Sequence, residues 1–225
     1  MASAVESPFK TREQRESDRE AKREAVLRAA VRMFNERGFF STTFDEVAAS
    51  LGVSKPTIYH YLGNKEEVLL ECVGRGISEL KDAAVAAASV PGTGLDRLRF
   101  FLVRYVRINM DDFGRCVIRT PDEGLTPAAA ERFRTLKRDV DSSLRAMIRE
   151  AMADGSMADG DVKLTAFTIA GALNWPARWY RSGPEAERES LARSMVDLLI
   201  RGVRAGVEDV PAKPRKPASK KRKAG

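Results

Sequence analysis

Residues 42–67, TTFDEVAASLGVSKPTIYHYLGNKEE, hold three helix starts in quick succession, and capping signals that dense leave few folds open. Thr43 opens the first helix as N-cap, and Glu46, three residues on, completes a capping box. Phe44, Val47, Ala48 and Leu51 then share one helical face. Gly52 falls where the chain reverses, a position that asks for left-handed backbone. Ser54 is expected to cap the next helix, with Pro56 tolerated in the first turn, where its missing N–H has no helical partner to lose. Gly63 closes that helix, and Asn64 with Glu67 caps the one after it. Two short helices joined by a tight turn, with a third beginning at once, make a helix-turn-helix.

The second of these helices, about Lys55–Tyr61, has the chemistry of a surface laid against duplex DNA. No Asp or Glu occurs from Leu51 to Lys65, although the chain has 32 acidic residues. Carboxylates there would be repelled by phosphates. Lys55 can pair with a phosphate, while Thr57 and Tyr59 can donate to phosphates or base edges. Ile58 and Leu62 face inward. Tyr59, His60 and Tyr61 cannot all be buried on one helix, so at least one faces out, and for Tyr59 or Tyr61 alone a core position is an equal alternative. Thr43, Lys55, Pro56, Thr57, Tyr59, His60, Tyr61 and Lys65 are the expected DNA-contacting set.

The run from Arg23 to Leu69 resembles the DNA-binding domain of the TetR family of bacterial transcriptional regulators. The matching features begin with Ala30, Phe34, Gly38 and Phe39 and continue through Ser41-Thr42-Thr43, Glu46-Val47-Ala48 and Leu51-Gly52-Val53-Ser54. They end with Thr57-Ile58-Tyr59-His60-Tyr61-Leu62 and Asn64-Lys65-Glu66. Gly63-Asn64 departs mildly from the family, which more often has a charged or polar residue before Asn or Ser. The resemblance implies an all-α homodimer, with an N-terminal three-helix DNA-binding domain and a larger helical domain that binds a small ligand and dimerises. The expected organisation is a charged extension over 1–22, the helix-turn-helix domain over 23–67, the ligand-binding and dimerisation domain over 68–208, and a disordered basic tail over 209–225.

Charge alone would mislead. The net charge of +7 suggests nucleic acid, yet residues 211–225 hold seven basic residues and no acid, so the rest of the chain balances to zero. The tail has no apolar periodicity and cannot bury a core. It is either a sequence-independent DNA tether acting through counterion release or a solubilising terminus. At the other end, Arg12, Arg15, Arg19 and Lys22 form one helical stripe beside Glu13, Glu16 and Glu20. That pattern fits a solvated extension of the first helix, or an arm laid along phosphates or into the minor groove. No signal peptide or membrane span is apparent, and two widely spaced cysteines, Cys72 and Cys116, are too few for a zinc site. A cytoplasmic protein without metal or cofactor is expected, with both thiols reduced.

Beyond Lys65, helices are expected near 65–88, 95–111, 112–120, 127–153, 161–181 and 185–206, separated by Gly/Pro/Asp clusters. Gly74 and Gly76 soften the first of them. The candidate pocket residues are Phe101, Arg104, Tyr105, Phe113, Phe133, Asn174, Trp175, Arg178 and Trp179, although core packing is the ordinary role of each aromatic taken singly. The stretch Gly171–Arg181 resembles a segment found in TetR-family regulators of fatty-acid and sterol catabolism, some of which sense acyl-CoA thioesters. That implies an apolar cavity with arginines such as Arg178 at its mouth for phosphates. Ala170, Gly171 and Ala172, followed by Leu191, Met195, Leu198, Leu199 and Val203, mark the last two long helices as the expected dimer surface.

The functional reading is a ligand-responsive regulator, a repressor in the first instance although activation is also open, that binds a palindromic operator as a homodimer. Two other classes fit less well. An enzyme is disfavoured by a single histidine, on the recognition helix, and by the lack of any nucleophile–base, metal or nucleotide motif. A nucleoid-type protein driven by the basic tail would bind random DNA as tightly as a promoter.

Overall fold

The computed structural model describes residues 11–181 and 183–203. The expected tail and the first ten residues lie outside these. In chain order the helices are α1 (Arg12–Arg37), α2 (Phe44–Leu51), α3 (Lys55–Leu62), α4 (Lys65–Ala88), α5 (Gly94–Met110) and α6 (Asp112–Arg119). A short 3-10 turn at Asp122–Gly124 leads into α7 (Pro127–Ala153), α8 (Val162–Asn174), α9 (Pro176–Trp179) and α10 (Glu185–Val203). Among the described residues there is no β-sheet, and no helix is long and apolar enough to cross a membrane.

The capping signals form as the sequence leads one to expect. Thr43 with Glu46, and Asn64 with Glu67, make reciprocal capping boxes, and Gly52 adopts left-handed backbone at φ 64°. Ser54 differs. Its hydroxyl bonds the Thr57 hydroxyl at 2.8 Å and makes no cap to the backbone. Thr11 adds a capping box with Gln14, and α1 then runs unbroken past Lys22, so the charged stripe is an extension of that helix. The helix expected over 161–181 is broken at Trp175–Pro176, because proline cannot donate the next helical bond and its ring crowds the preceding turn.

Two apolar cores result. The first gathers α1, α2, α3 and the first half of α4, then draws in Phe113 and Cys116 of α6 and Ala129, Ala130 and Phe133 of α7. It therefore continues past residue 67. The second joins the far half of α4 to α5, the later turns of α7, α8 and α10. Val140, on α7, packs against both. Cys72 and Cys116 are buried in the first core as free thiols, and their mutual hydrogen bonding, with burial, pushes the Cys72 pKa up. Such thiols are structural and poorly reactive.

Candidate nucleic-acid interface and cavity

Phe44, Val47, Ala48, Ile58 and Leu62 are buried and lock α2 against α3. What remains outward on α3 is polar. Lys55, Pro56, Tyr59 and His60 are exposed, and Thr57 is half-buried. Tyr59 is 48% exposed, with its ring edge-on to Phe44 at 5.2 Å between centroids. Tyr61 is half-buried, packed against the first core and in edge contact with His60. The linear reading missed Asp45, which α2 brings beside α3 so that its carboxylate takes a hydrogen bond from Lys55 Nζ at 2.8 Å. This bond raises the Lys55 pKa, but water screens both partners and the pair is easily exchanged.

Thr43 and Lys65, like Lys55, are already engaged within the domain. The Thr43 hydroxyl and backbone N–H both donate to Glu46, whose carboxyl they hold below its ordinary pKa. Lys65 is half-buried. Its ammonium donates to the Thr42 carbonyl at 2.6 Å, lies 4.8 Å from the Phe39 ring centre, and has its pKa lowered by burial.

Where the two cores meet there is a cavity of 330 Å³, walled by α4, α5, α6, α7 and α8. Its apolar lining includes Val73, Ile77, Val117, Ile118 and Leu144. Its polar groups fall in two places. On one side Asn174 accepts hydrogen bonds from Tyr105 and Asn109, and burial raises the Tyr105 pKa. On another are Asp141 and Lys137 of α7. The Lys137 side chain is exposed overall, yet its ammonium lies 4.0 Å from the Phe133 ring centre and its pKa is lowered by burial.

The nine candidate pocket residues are not gathered around this space. Tyr105 and Asn174 line it. Phe101 and Phe133 are fully buried core residues, because a large apolar ring facing neighbouring helices is more stable packed than lining a void. Arg104 and Phe113 line a different, open cleft of 770 Å³ on the other side of α5. Trp175, Arg178 and Trp179 lie at and after the α8 break and are exposed, with Trp175 at 61%, so Arg178, expected as the phosphate clamp, does not line this cavity. Sequence reasoning missed Asn109, Lys137 and Asp141. A polar residue recurring inside an apolar helical face was the available signal for Asn109.

The surface of α8 carries Leu164, Thr168, Gly171 and Trp175 at helical spacing, all exposed, with Phe167 beside them at 55%. A side chain added at Gly171 would meet nothing within 4 Å. Leu198 of α10 is 68% exposed, whereas Leu191, Met195 and Leu199 pack into the protomer's own second core.

Residues 26–72 match the family model for bacterial regulatory proteins of the tetR family, and residues 91–203 match that of the tetracyclin repressor-like C-terminal domain. The HTH-type transcriptional repressor KstR2 of Rhodococcus jostii (strain RHA1) is 28% identical over 196 residues, spanning 83% of this chain and 93% of its own. The crystal structure of PfmR, a TetR family regulator from Thermus thermophilus, superposes with a TM-score of 0.68 at 29% identity, over 78% of this chain and 97% of that one. AibR, solved in complex with isovaleryl coenzyme A and operator DNA, gives a TM-score of 0.64 at 21% identity over 79% and 97%. At that identity the likeness is one of fold.

Proposed function

Because this chain belongs to the TetR family of bacterial transcriptional regulators, we propose that it is a repressor that grips a palindromic operator as a homodimer and is released by an acyl thioester of coenzyme A. The family supplies the coarser frame: its members are helix-turn-helix regulators, typically repressors, that bind operator DNA as dimers and respond to small molecules. The rest is the reading that the geometry supports best.

The observation that carries it is the position of the cavity. Three of its five walls come from α4, α6 and α7, and these same helices complete the core beneath α2 and α3. A ligand that spreads those walls shifts the platform on which α3 stands. Release requires only that the ligand bind the DNA-incompetent arrangement more tightly, and operator and ligand then weaken each other by the same factor.

On DNA, Lys55 exchanges Asp45 for a phosphate, and Tyr59, Thr57 and His60 meet the groove, with Pro56 and Tyr61 shaping the edge of the helix. Thr43 and Lys65 offer backbone contacts from the flanking turns, since an ammonium with one acceptor still has two donors to give. A single α3 reads few base pairs, so a two-fold partner is needed, seated on the exposed α8 stripe and Leu198. The thioester is supported by a mostly apolar cavity and by the isovaleryl coenzyme A in AibR.

The test is a titration of the operator complex, followed by fluorescence anisotropy, with isovaleryl-CoA, longer acyl-CoAs and the matching free acids. The proposal expects release by one or more thioesters at concentrations where the acids have no effect. Equal potency of acid and thioester, or no release by either, overturns the ligand class.

A further inference from the structure

The cavity is small for the effector proposed above. Its 330 Å³ is at the lower end of the roughly 300–1,000 Å³ typical of ligand pockets, which suits a short apolar chain and leaves no room for a nucleotide. A second space lies directly across one side chain. Ile108 lines both the cavity and the 770 Å³ cleft between α1, α4, α5 and the start of α10. Facing it is Gly76, where a Cβ would come 3.7 Å from Ile108 Cγ2, so Ile108 is the partition at this point.

The cleft is chemically unlike the cavity. Five arginines face four carboxylates there. Arg104 is stacked 3.6 Å from the Phe100 ring centre and has no carboxylate within ion-pairing distance among the described residues. Arg107 is ion-paired to Glu185 and Glu189, and Arg188 to Glu185 and, at 3.9 Å, Asp111, while the Nε of each is buried without a hydrogen-bond partner. Two of the carboxylates are already occupied. Asp111 caps α6 through the Phe113 N–H, and Glu185 sits between two arginines. A third, Glu79, has its pKa raised by burial and by the charge of Asp111, which makes it readier to be neutral beside an anion. A guanidinium without a carboxylate partner, as at Arg104, matches phosphate oxygens in both charge and geometry, and the ion-paired Arg107 and Arg188 lie beside it.

We infer that the cavity and the arginine cleft are two halves of one site for an amphiphile, with the acyl chain in the cavity and the nucleotide phosphates of coenzyme A against Arg104, Arg107 and Arg188. The connecting arm passes Ile108, which swings aside by a change of rotamer. This assignment rests on the thioester reading, but the cleft can be tested apart from it.

The experiment compares wild type, Arg104→Gln, Ile108→Trp and, as control, Arg149→Gln on the exposed side of α7. Calorimetry measures binding of 3′-phospho-ADP, the head without the chain, and anisotropy measures operator release by isovaleryl-CoA. Arg104→Gln should weaken both about tenfold, the loss of roughly one charged hydrogen-bonding partner, while Arg149→Gln matches wild type. Ile108→Trp should abolish release by the thioester and weaken binding of the head by less than Arg104→Gln does, because Ile108 borders the cleft without carrying charge. Release by the thioester at wild-type potency in Arg104→Gln overturns the cleft assignment and leaves the thioester effector standing. Head binding that depends on Arg104, without release by any thioester, sustains the cleft and overturns the effector. Failure of the head to bind wild type, together with thioester release indifferent to Ile108→Trp, overturns the two-part site.

Discussion

The Tyr105 hydroxyl donates to the Asn174 side-chain oxygen at 2.8 Å, across the wall of the cavity. Asn109 donates to the same oxygen, also at 2.8 Å. One acceptor thus holds the last turn of α8 to α5, one residue before the helix breaks. Tyr105→Phe leaves that oxygen satisfied by Asn109 and should cost about 0.5–1.5 kcal/mol of stability. Asn174→Leu strands the Tyr105 hydroxyl and leaves Asn109 only its long bond to the Leu173 carbonyl, and should cost more, about 1–3 kcal/mol for each donor. Urea denaturation measures both, and equal costs would show that the shared acceptor does not organise the wall.

Tyr59→Ala and Lys55→Ala should each weaken operator binding by about 1–3 kcal/mol, with helix content and dimerisation unchanged, because both side chains are exposed. Anisotropy and circular dichroism read the two effects separately. Wild-type operator affinity in both variants would place the DNA surface elsewhere.

Trp175 and Phe101 should part company. Sequence reasoning groups them as pocket aromatics, but Phe101 is fully buried and Trp175 is 61% exposed. Phe101→Ala should destabilise the protein by about 3–5 kcal/mol. Trp175→Ala should leave the protomer folded and instead raise the dimer dissociation constant, as sedimentation would show. A collapse in thermal stability of Trp175→Ala under conditions where it is monomeric would contradict this placement.

Gly74 lies inside α4, and a Cβ there would meet nothing within 4 Å. Gly74→Ala should therefore stabilise the fold by about 0.5–1 kcal/mol through the unfolded chain's lost freedom. A stiffer α4 should also require more ligand for the same operator release. A stabilised variant with an unaltered dose response would mean that α4 does not bend when the ligand acts.

The helix-turn-helix was legible because its signals are local. Thr43 and Glu46, or Asn64 and Glu67, are three residues apart, and their bonds form whatever the rest of the chain does. The pocket was not legible for the opposite reason. A cavity is the space that packing leaves over, and nothing in the spacing of Phe101 or Phe133 distinguishes a ring that fills a core from one that borders a void. Asp45 beside Lys55 is likewise a contact made by the turn between two helices, ten residues apart in sequence. The break at Trp175–Pro176 was visible as a proline, but an apolar pattern continuing through Trp179 masked it. Arg178 and Trp179 thereby move to the surface, away from the cavity that their sequence neighbourhood implied.

The central claim is sequence-specific DNA binding that a ligand reverses, and genome-wide footprinting with the purified full chain, with and without acyl-CoA, tests it most directly. The account predicts protection of a small set of two-fold-symmetric sites, lost when the thioester is added and retained when residues 211–225 are deleted. Protection spread evenly over random DNA, indifferent to thioester and abolished with the tail, would contradict it.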